Sequence, residues 1–309
     1  MIVRPREHWF RMLFVWNGSV LKSILPQLAL MSAVSVVALL TNGRILGEKV
    51  PLNPTPFTLA GLALAIFAAF RNNASYDRYW EARKLWGGVL TAARALTSQA
   101  LGYDASADGA SFARATAGFV YALKHQLRGT DPAEDLRARL PADWLEPVLA
   151  ARHRPVAILH ALRGRLAGRH RGGALTDTQL WMLDAQLNEL GAQLNELGAK
   201  LAGCERIAST PIPFPYHVLL HRTVYAYCVM LPFGLVDSIG IATPFVSVFV
   251  SYTLIALDAI AGEIAEPFGD GPNHLALDAL ARQIERSLLE LAGLPLPDEI
   301  RAGPSYRLS

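Results

Sequence analysis

Residues 56–70 read PFTLAGLALAIFAAF, and residues 71–86 continue directly as RNNASYDRYWEARKLW. The first part is apolar and the second part is polar, and no glycine or proline that would end a helix stands at the change. We therefore predict one long helix that crosses a membrane with its apolar part and continues into water with its polar part.

The apolar part of this helix carries a narrow stripe of large side chains. Leu62, Ile66 and Phe70 are four residues apart, so they lie along one face of the helix. Such a helix could line the pore of a symmetric ring, or it could be an ordinary, tightly packed membrane helix, which is the commoner use of small residues. The small residues around the stripe are Gly61, Ala63, Ala65, Ala68 and Ala69.

Three further segments are long enough to cross a membrane, which takes about 20 residues per helix. The first lies between Lys22 and Arg44, where no charged residue occurs, and the others are residues 217–240 and 241–264. Arginines and aromatic residues are mixed in residues 1–22, which we predict to lie at the membrane surface. The predicted fold class is an all-α membrane protein with four transmembrane helices and a large helical cytosolic region.

The positive charges give the predicted orientation. Residues 71–215 hold 18 of the 29 lysines and arginines, whereas the loop at 43–55 has two and the loop at 237–243 has none. The positive-inside rule therefore places the polar region and both termini in the cytoplasm, for a multi-pass protein of the inner (plasma) membrane. The predicted parts are an interfacial segment with two membrane helices (1–70), a cytosolic helical region (71–215), two further membrane helices (216–266) and a cytosolic tail (267–309).

Within the cytosolic region, glycine-containing segments at 102–109, 129–132 and 164–173 are predicted breaks between helices. The heptapeptide QLNELGA then occurs twice in succession, at 186–192 and 193–199. Leucines there alternate spacings of three and four, which predicts an apolar heptad seam. The leucines of the seam are Leu180, Leu183, Leu187, Leu190, Leu194, Leu197 and Leu201.

The composition argues against several classes of function. A net charge of +3 gives no support to a nucleic-acid partner, and two cysteines are too few for a disulfide scaffold or a four-cysteine zinc site. No nucleophile triad, phosphate-binding loop or zinc signature occurs, so we predict neither an enzyme nor a cofactor. His217 and His221 are four residues apart and could share a metal on one helix face, but a packing pair is the simpler interpretation.

Charged residues in or beside the apolar segments are further candidates. Asp258 lies inside the last apolar segment, where an ionisable residue indicates either a functional site or a buried pair. Asp77, Arg78, Glu81 and Arg83 lie on the polar part of the long helix and could line a charged vestibule. Charge pairs on a solvated helix are the simpler interpretation of these four residues.

Four blocks of the sequence resemble the bestrophin family, in its bacterial branch. They are FVWNGSVLK (14–22), FTLAGLALAIFAAFRNNASYDRYWEARKLWGG (57–88), CERIASTPIPFPYHVLLHRTVYAYC (204–228) and EIAEPFGDGPNHLALD (263–278). The blocks follow the order of the family along nearly the whole chain. The second and last blocks are the most specific, and residues 103–185 match least.

The resemblance implies a homopentameric ion channel with its pore on the fivefold axis. In this family, three apolar residues on the second membrane helix form a pore neck, and they correspond here to Leu62, Ile66 and Phe70. Bacterial members are similar to animal members in architecture but conduct cations, so the expected function is a channel for small monovalent ions, with cations favoured and chloride as the alternative. The expected partners are identical subunits, membrane lipid and small inorganic ions.

The resemblance also implies a lower constriction, an apolar ring in a cytosolic helix before the last two crossings. Leu180 is the candidate, although it fits equally as a core leucine of the seam. Animal members bind calcium with an acidic run after Pro-Phe-Gly, where this chain reads DGPNH. Glu266 and Asp270 could contact an ion or a partner, but they cannot supply the roughly six to eight oxygens that calcium requires, so we do not expect calcium activation.

Two other classes of function stay open on the sequence alone. A secondary transporter usually has two related halves with broken helices, and no such repeat relates the first two crossings to the last two. A membrane-anchored scaffold would bind partners through its cytosolic helices, and it would be monomeric and non-conducting.

Overall fold

The structure of the chain is a computed structural model, which describes residues 1–4, 8–45, 48–49, 54–103, 107–186, 188 and 214–309. At positions 45, 54, 107–108 and 214–217 it describes the backbone alone. Helices dominate the described residues, as the sequence predicts. The described strands form a short antiparallel ribbon in which Arg44 pairs with Lys49.

The elements follow one another in chain order as a series of helices with one short ribbon. The ribbon consists of β1 (Arg44–Ile45) and β2 (Glu48–Lys49), and a 3-10 helix (Gly240–Ala242) joins α9 to α10. The helices are α1 (Trp9–Met12), α2 (Leu21–Leu40), α3 (Pro54–Tyr103), α4 (Ala107–Arg128), α5 (Ala133–Arg137), α6 (Ala142–Ala150), α7 (Arg154–Arg171), α8 (which includes residues 177–186), α9 (Phe214–Ile239), α10 (Thr243–Ile264) and α11 (Leu277–Leu291).

These elements divide between two compact units. We call Pro5–Trp80 and Ile207–Pro267 the apolar unit, and Met1–Arg4, Glu81–Arg206 and Phe268–Ser309 the polar unit. Helix α3 contributes to both, its apolar part to the first and most of its polar part to the second. The division into four parts that the sequence predicts stays a prediction.

Three helical stretches of the described chain are long and apolar enough to cross a membrane. They are Leu21–Leu40, Thr55–Tyr103 and Val218–Ile264, with 20, 49 and 47 residues. The third stretch contains two α-helices, α9 and α10, with the 3-10 turn between them. The apolar helices α2, α3, α9 and α10 therefore correspond to the four predicted crossings.

The apolar unit is built around α2, α9 and α10, which pack against one another. Its buried core includes Met31 of α2, Val224 of α9 and Ile255 of α10. Helix α3 adds Leu64 to this core, so one face of α3 packs against its own chain. The two short loops meet at one end of the unit, where Lys49 Nζ lies 3.0 Å from Asp237 Oδ1.

Helix α3 is continuous over 50 residues, which confirms the long helix predicted from the apolar-to-polar change. It ends at Tyr103, inside the predicted break at 102–109, and α4 ends at Arg128, directly before the predicted break at 129–132.

The third predicted break, at 164–173, is wrong over most of its length. Helix α7 continues through Gly164 and ends only at Arg171. Leu162 and Leu166 are buried on either side of this glycine. Their packing outweighs the cost of about 1 kcal/mol that a glycine imposes inside a helix relative to alanine.

The polar unit is centred on α4, which packs against α7 and α11. Phe119 in the middle of α4 is fully buried. The two ends of the chain lie side by side in this unit: Ile2 forms an antiparallel bridge with Arg307, and the Val3 N–H donates to the Tyr306 carbonyl over 2.9 Å.

Candidate functional site

Helix α3 presents two different faces in the apolar unit. Leu64 and Ala68 are buried against the chain's own core. The stripe predicted from the sequence lies on the other face, where Leu62, Ile66 and Phe70 are 60%, 48% and 67% exposed. The described part of the chain therefore leaves this stripe uncovered, although large apolar side chains are unfavourable in water.

Two glycines give room to side chains that reach between α3 and α9. A methyl group at Gly61 would lie 2.7 Å from Oη of Tyr227, so only a glycine fits there without a shift. In the reciprocal contact, a methyl group at Gly234 of α9 would lie 3.0 Å from Cε2 of Phe57. The small residues predicted to permit close packing in lipid thus do so at Gly61.

One acidic residue continues the stripe beyond the apolar part of α3. Asp77 follows Phe70 by seven residues, which is close to two helical turns, so the two lie on nearly the same face. Asp77 is exposed, as is Arg83, whereas Arg78 and Glu81 are half-buried. Of these four candidates for a charged vestibule, Asp77 and Glu81 both lie within about 20° of Phe70 around the helix, and Asp77 is the exposed one.

Arg71, the first charged residue after the stripe, turns back to its own chain. Its Nη1 donates to Oδ1 of Asp258 on α10, and the other carboxylate oxygen lies 3.3 Å from Nδ1 of His221 on α9. Asp258 is therefore the acid of a partly buried ion pair, while its role as an ion or partner contact stays a prediction. The sequence analysis did not identify Arg71 as the partner of Asp258. Both residues lie near the predicted cytoplasmic end of their membrane helices, and this shared depth could have linked them.

Asp270, a candidate ion or partner contact, pairs with an arginine of the polar unit. Its Oδ1 lies 3.3 Å from Nε of Arg128, while most of the Asp270 side chain stays exposed. Glu266, the other acidic candidate of this loop, is exposed at the end of the apolar unit.

A histidine fills the glycine-rich loop that follows α10. The Gly271 N–H donates to Nδ1 of His274 over 2.8 Å, and a methyl group at Gly269 would overlap the same ring. The imidazole takes up the space inside the turn, and nitrogen is a poor ligand for calcium, which prefers oxygen. The expectation that calcium does not activate the protein stays a prediction.

Leu180, the candidate for a lower constriction, lies in α8 and is half-buried. Leu183, one turn later, is fully buried, as expected for a leucine of the seam. The leucines from Leu187 to Leu201 lie outside the described residues, as do most of the repeat at 186–199 and Cys204. The seam and the lower constriction therefore stay predictions.

No group of three or more histidine, cysteine, aspartate or glutamate side chains in the described part of the chain could hold a metal ion. His221 contacts Asp258 and packs on Tyr225, with ring centroids 4.5 Å apart. The side chain of His217 lies outside the described part. Cys228 is a buried free thiol in the core of the apolar unit.

The polar unit holds a buried charge network that the sequence pattern did not reveal. Arg139 donates to Glu285 twice, from Nε over 2.8 Å and from Nη2 over 3.1 Å. Tyr121 donates to the same carboxylate over 2.9 Å, and the Arg139 guanidinium lies 3.5 Å above its ring. Burial raises the pKa of Tyr121 to about 12, so this hydroxyl remains a donor. The three residues come from distant parts of the chain, and no local signal links them.

A second part of the network lies around Lys124. Its Nζ is 2.8 Å from a carboxylate oxygen of Asp135 and 3.1 Å from one of Asp278. Burial raises the pKa of each acid, but hydrogen bonds outweigh that effect and hold each pKa below its usual value. The donors are Lys124 and His125 for Asp135, and Arg128 and Lys124 for Asp278. These contacts tie α4 to α5 and α11.

Comparison with known proteins identifies the group to which this arrangement belongs. A family model described as bacterial/fungal bestrophin protein matches residues 1–290. A protein of Ralstonia nicotianae, named a voltage-dependent anion channel-forming protein, is 50% identical over 307 residues, which are 98% of each chain. The protein YneE of Escherichia coli, which has the same descriptive name, is 44% identical over 313 residues and 100% of each chain.

Solved structures extend the likeness to the fold. A bacterial bestrophin homologue from Klebsiella pneumoniae has a TM-score of 0.79 and 39% identity, covering 88% of this chain and 99% of that chain. A point variant of the homologue reaches a TM-score of 0.80 with 40% identity over 90% of this chain and 100% of the other. These likenesses support a membrane ion channel rather than an enzyme. The chain therefore belongs to the bestrophin family, in its bacterial and fungal branch.

Proposed function

We propose that five copies of the chain form an ion channel whose pore is lined by α3. The observation that carries this proposal is the uncovered stripe of Leu62, Ile66 and Phe70, on the face of α3 that turns away from the buried Leu64 and Ala68. Five copies around one axis would bring their stripes together as three stacked apolar rings.

Such rings act physically as a neck. A narrow apolar constriction loses its water easily, and an ion cannot pass through a dewetted segment without losing its hydration shell. The neck therefore limits conduction or gates it, while its lack of charge gives no preference for either sign of ion. Leu180 is the proposed residue of a second constriction in the cytosolic part of the pore.

The proposed setting is the inner membrane, with both termini and the polar unit in the cytoplasm. Support for a lipid surface next to α2 comes from the segment before it, where large aromatic side chains are exposed among arginine and histidine. Tryptophan, whose ring has an apolar body and a polar N–H, is typical of headgroup depth. These exposed aromatic residues are Trp9, Phe10, Phe14 and Trp16.

Anions are the first candidate for the permeant species. The similar proteins of Ralstonia nicotianae and Escherichia coli are both named anion channel-forming proteins, at 50% and 44% identity. These names favour chloride, the alternative in the sequence analysis, over the cation selectivity that was favoured there.

Cations are the second candidate, because of Asp77. Its exposed carboxylate continues the face of the neck, so a pentamer would carry five carboxylates near the cytoplasmic end of the pore. A ring of acidic side chains raises the local concentration of cations and excludes anions.

The test is recording from the purified protein in planar bilayers with a KCl gradient across the membrane. A reversal potential near the chloride equilibrium value supports the anion channel, and a value near the potassium equilibrium value supports the cation channel instead. A protein that conducts no ions would contradict both. Saturable coupled uptake would then indicate a transporter, and a monomeric protein would indicate a scaffold.

The neck is tested with the triple substitution Leu62→Ala, Ile66→Ala and Phe70→Ala. Removing three apolar rings widens the constriction and keeps it wet, so the unitary conductance should rise several-fold. Phe67→Ala is the matched control, because Phe67 is also exposed on α3 but lies about 100° around the helix from Ile66. Equal conductance of the triple variant and the wild type would place the neck elsewhere.

A further inference from the structure

Arg71 and Asp258 form a partly buried pair directly beyond the neck stripe. Arg71 follows Phe70 in α3, and its guanidinium lies against α10, where it donates to Asp258. A methyl group at Gly262, one turn after Asp258, would lie 3.8 Å from Nη2 of Arg71. Two successive turns of α10 therefore flank the guanidinium, and His221 of α9 contacts the remaining carboxylate oxygen at 3.3 Å.

The charge of Arg71 is balanced by a single acid in the described part of the chain. Asp258 supplies the carboxylate of the pair, and the two side chains are only 12% and 15% exposed. Water screens such charges much less than it screens surface charges. If one of the two charges is removed, the field of the other therefore reaches further.

This pair is close to the end of the proposed neck. Consecutive Cα atoms are about 3.8 Å apart, so the backbone of Arg71 lies well within a Debye length, about 8 Å at physiological ionic strength, of the backbone of Phe70. In a pentamer, five such guanidinium groups would surround the conduction path where ions leave the neck.

We propose that Asp258 sets the charge selectivity of the channel by neutralising Arg71 at the end of the neck. This role rests on the proposed function, because it requires α3 to line the pore. With Asp258 in place, five neutral pairs surround the exit of the neck. Without its carboxylate, five uncompensated guanidinium groups attract anions and repel cations.

The experiment compares the wild type with Asp258→Asn, Arg71→Gln and the double variant, each as the full chain in planar bilayers. The reversal potential in a KCl gradient gives the permeability ratio of chloride to potassium. Asp258→Asn should raise this ratio by about threefold or more, because Arg71 loses its counter-charge. Arg71→Gln should lower the ratio, because the carboxylate of Asp258 is then uncompensated. The double variant removes both charges and should return the ratio close to that of the wild type.

Shifts of opposite sign distinguish this role from a structural one. A pair that only held α3 against α10 would change the current or the yield of the channel in the same direction in both single variants. Two shifts of the same sign, or no shift in either single variant, would overturn the role of Asp258. A wild type that carries no current would instead contradict the proposed function.

The exchanged pair, Arg71→Glu with Asp258→Arg, covers the case in which a single variant does not assemble. It keeps two opposite charges in contact, so the buried site stays neutral. Because the site stays neutral, the permeability ratio of chloride to potassium should stay close to that of the wild type, as in the double variant. A ratio that differs from the wild-type value by about threefold or more would overturn the proposal.

Discussion

The apolar and polar units of the chain expose opposite kinds of surface. In the apolar unit, large side chains such as Phe245 and Phe249 of α10 are exposed, whereas Trp86 and Phe119 of the polar unit are fully buried. Large exposed apolar surfaces mark contact with lipid or with other protein rather than with water. The apolar unit therefore suits lipid or protein surroundings and the polar unit suits water, and α3 contributes to both units.

The two units also differ in what holds their helices together. Besides its core of larger side chains, the apolar unit has contacts at small residues such as Gly61, Ser247 and Ser251, because lipid provides no hydrophobic driving force between helices. In the polar unit, water drives large side chains such as Leu123 and Leu288 inward. We expect the apolar unit to be sensitive to added volume and the polar unit to lost side chains.

The largest loss of stability is expected from breaking the buried network of the polar unit. Glu285→Ala removes one of the two carboxylates that pair with the buried Arg139 guanidinium, the other being Asp135, and Tyr121 loses its acceptor. Removing one partner of a buried pair costs about 3–5 kcal/mol. The midpoint of thermal unfolding of the purified protein in detergent measures the effect.

Glu290→Ala is the matched control, because Glu290 is an exposed acid on the same helix. Surface substitutions of this kind usually change the free energy of unfolding by no more than about 0.5 kcal/mol. Equal midpoints for the two variants would contradict a stabilising role of the network.

The next largest effect is expected from adding one methyl group in the apolar unit. Gly61→Ala forces Tyr227 away from α3, and such overpacking costs about 1–3 kcal/mol. Gly164→Ala in α7 of the polar unit is the control, because no other atom lies within 4 Å of the new methyl group. It should stabilise by about 0.5–1 kcal/mol through helix propensity. If the unfolding midpoints of the two variants shift in the same direction, the expectation that added volume is harmful mainly in the apolar unit is contradicted.

A smaller loss of stability is expected when the pH is lowered, and it should arise in the polar unit. The pKa values of Asp135 and Asp278 are held below the usual value of 3.8 by their hydrogen bonds. On acidification the unfolded state therefore takes up protons before the folded state does, so their stabilisation is complete above the usual pKa and is lost as the pH falls below it.

The measurement is the unfolding midpoint of the protein between pH 2 and pH 5. Asp278→Asn should flatten this dependence, whereas Asp177→Asn should not, because the side chain of Asp177 is 96% exposed. An equally steep loss of stability in the wild type and in Asp278→Asn would assign the acid sensitivity to other groups.

Local patterns predicted much of the fold and the position of the stripe. The run from Pro56 to Trp86 is one helix because apolar and polar residues follow each other without a helix-breaking residue at the change. The stripe at Leu62, Ile66 and Phe70 needs only helical spacing, and its exposure agrees with either a pore or a subunit contact. The break predicted at Gly164 was wrong because the helix-propensity cost of a glycine can be read from the local sequence, whereas the burial of the neighbouring side chains depends on tertiary packing.

Contacts between distant parts of the chain could not be predicted in this way. Arg139 and Glu285 are 146 residues apart, and Arg71 and Asp258 are 187 apart. Periodicity reports which face of a helix is buried but not which residue of another helix meets it. Periodicity alone therefore marks Asp258 as unusual without naming its partner, and only the shared depth of Asp258 and Arg71 in the predicted membrane could have linked them.

The smallest effect is expected for the ion pair of Lys49 and Asp237, which lies at the surface of the apolar unit with side chains 55% and 58% exposed. A double-mutant cycle with Lys49→Gln and Asp237→Asn should give a coupling of about 0.2–1 kcal/mol. The coupling should vanish in 1 M salt, where the Debye length is about 3 Å. A coupling as large as the loss expected for Glu285→Ala, and insensitive to salt, would mean that the pair is shielded from water in the assembled protein. The surface covered by neighbouring copies would then extend to this end of the apolar unit.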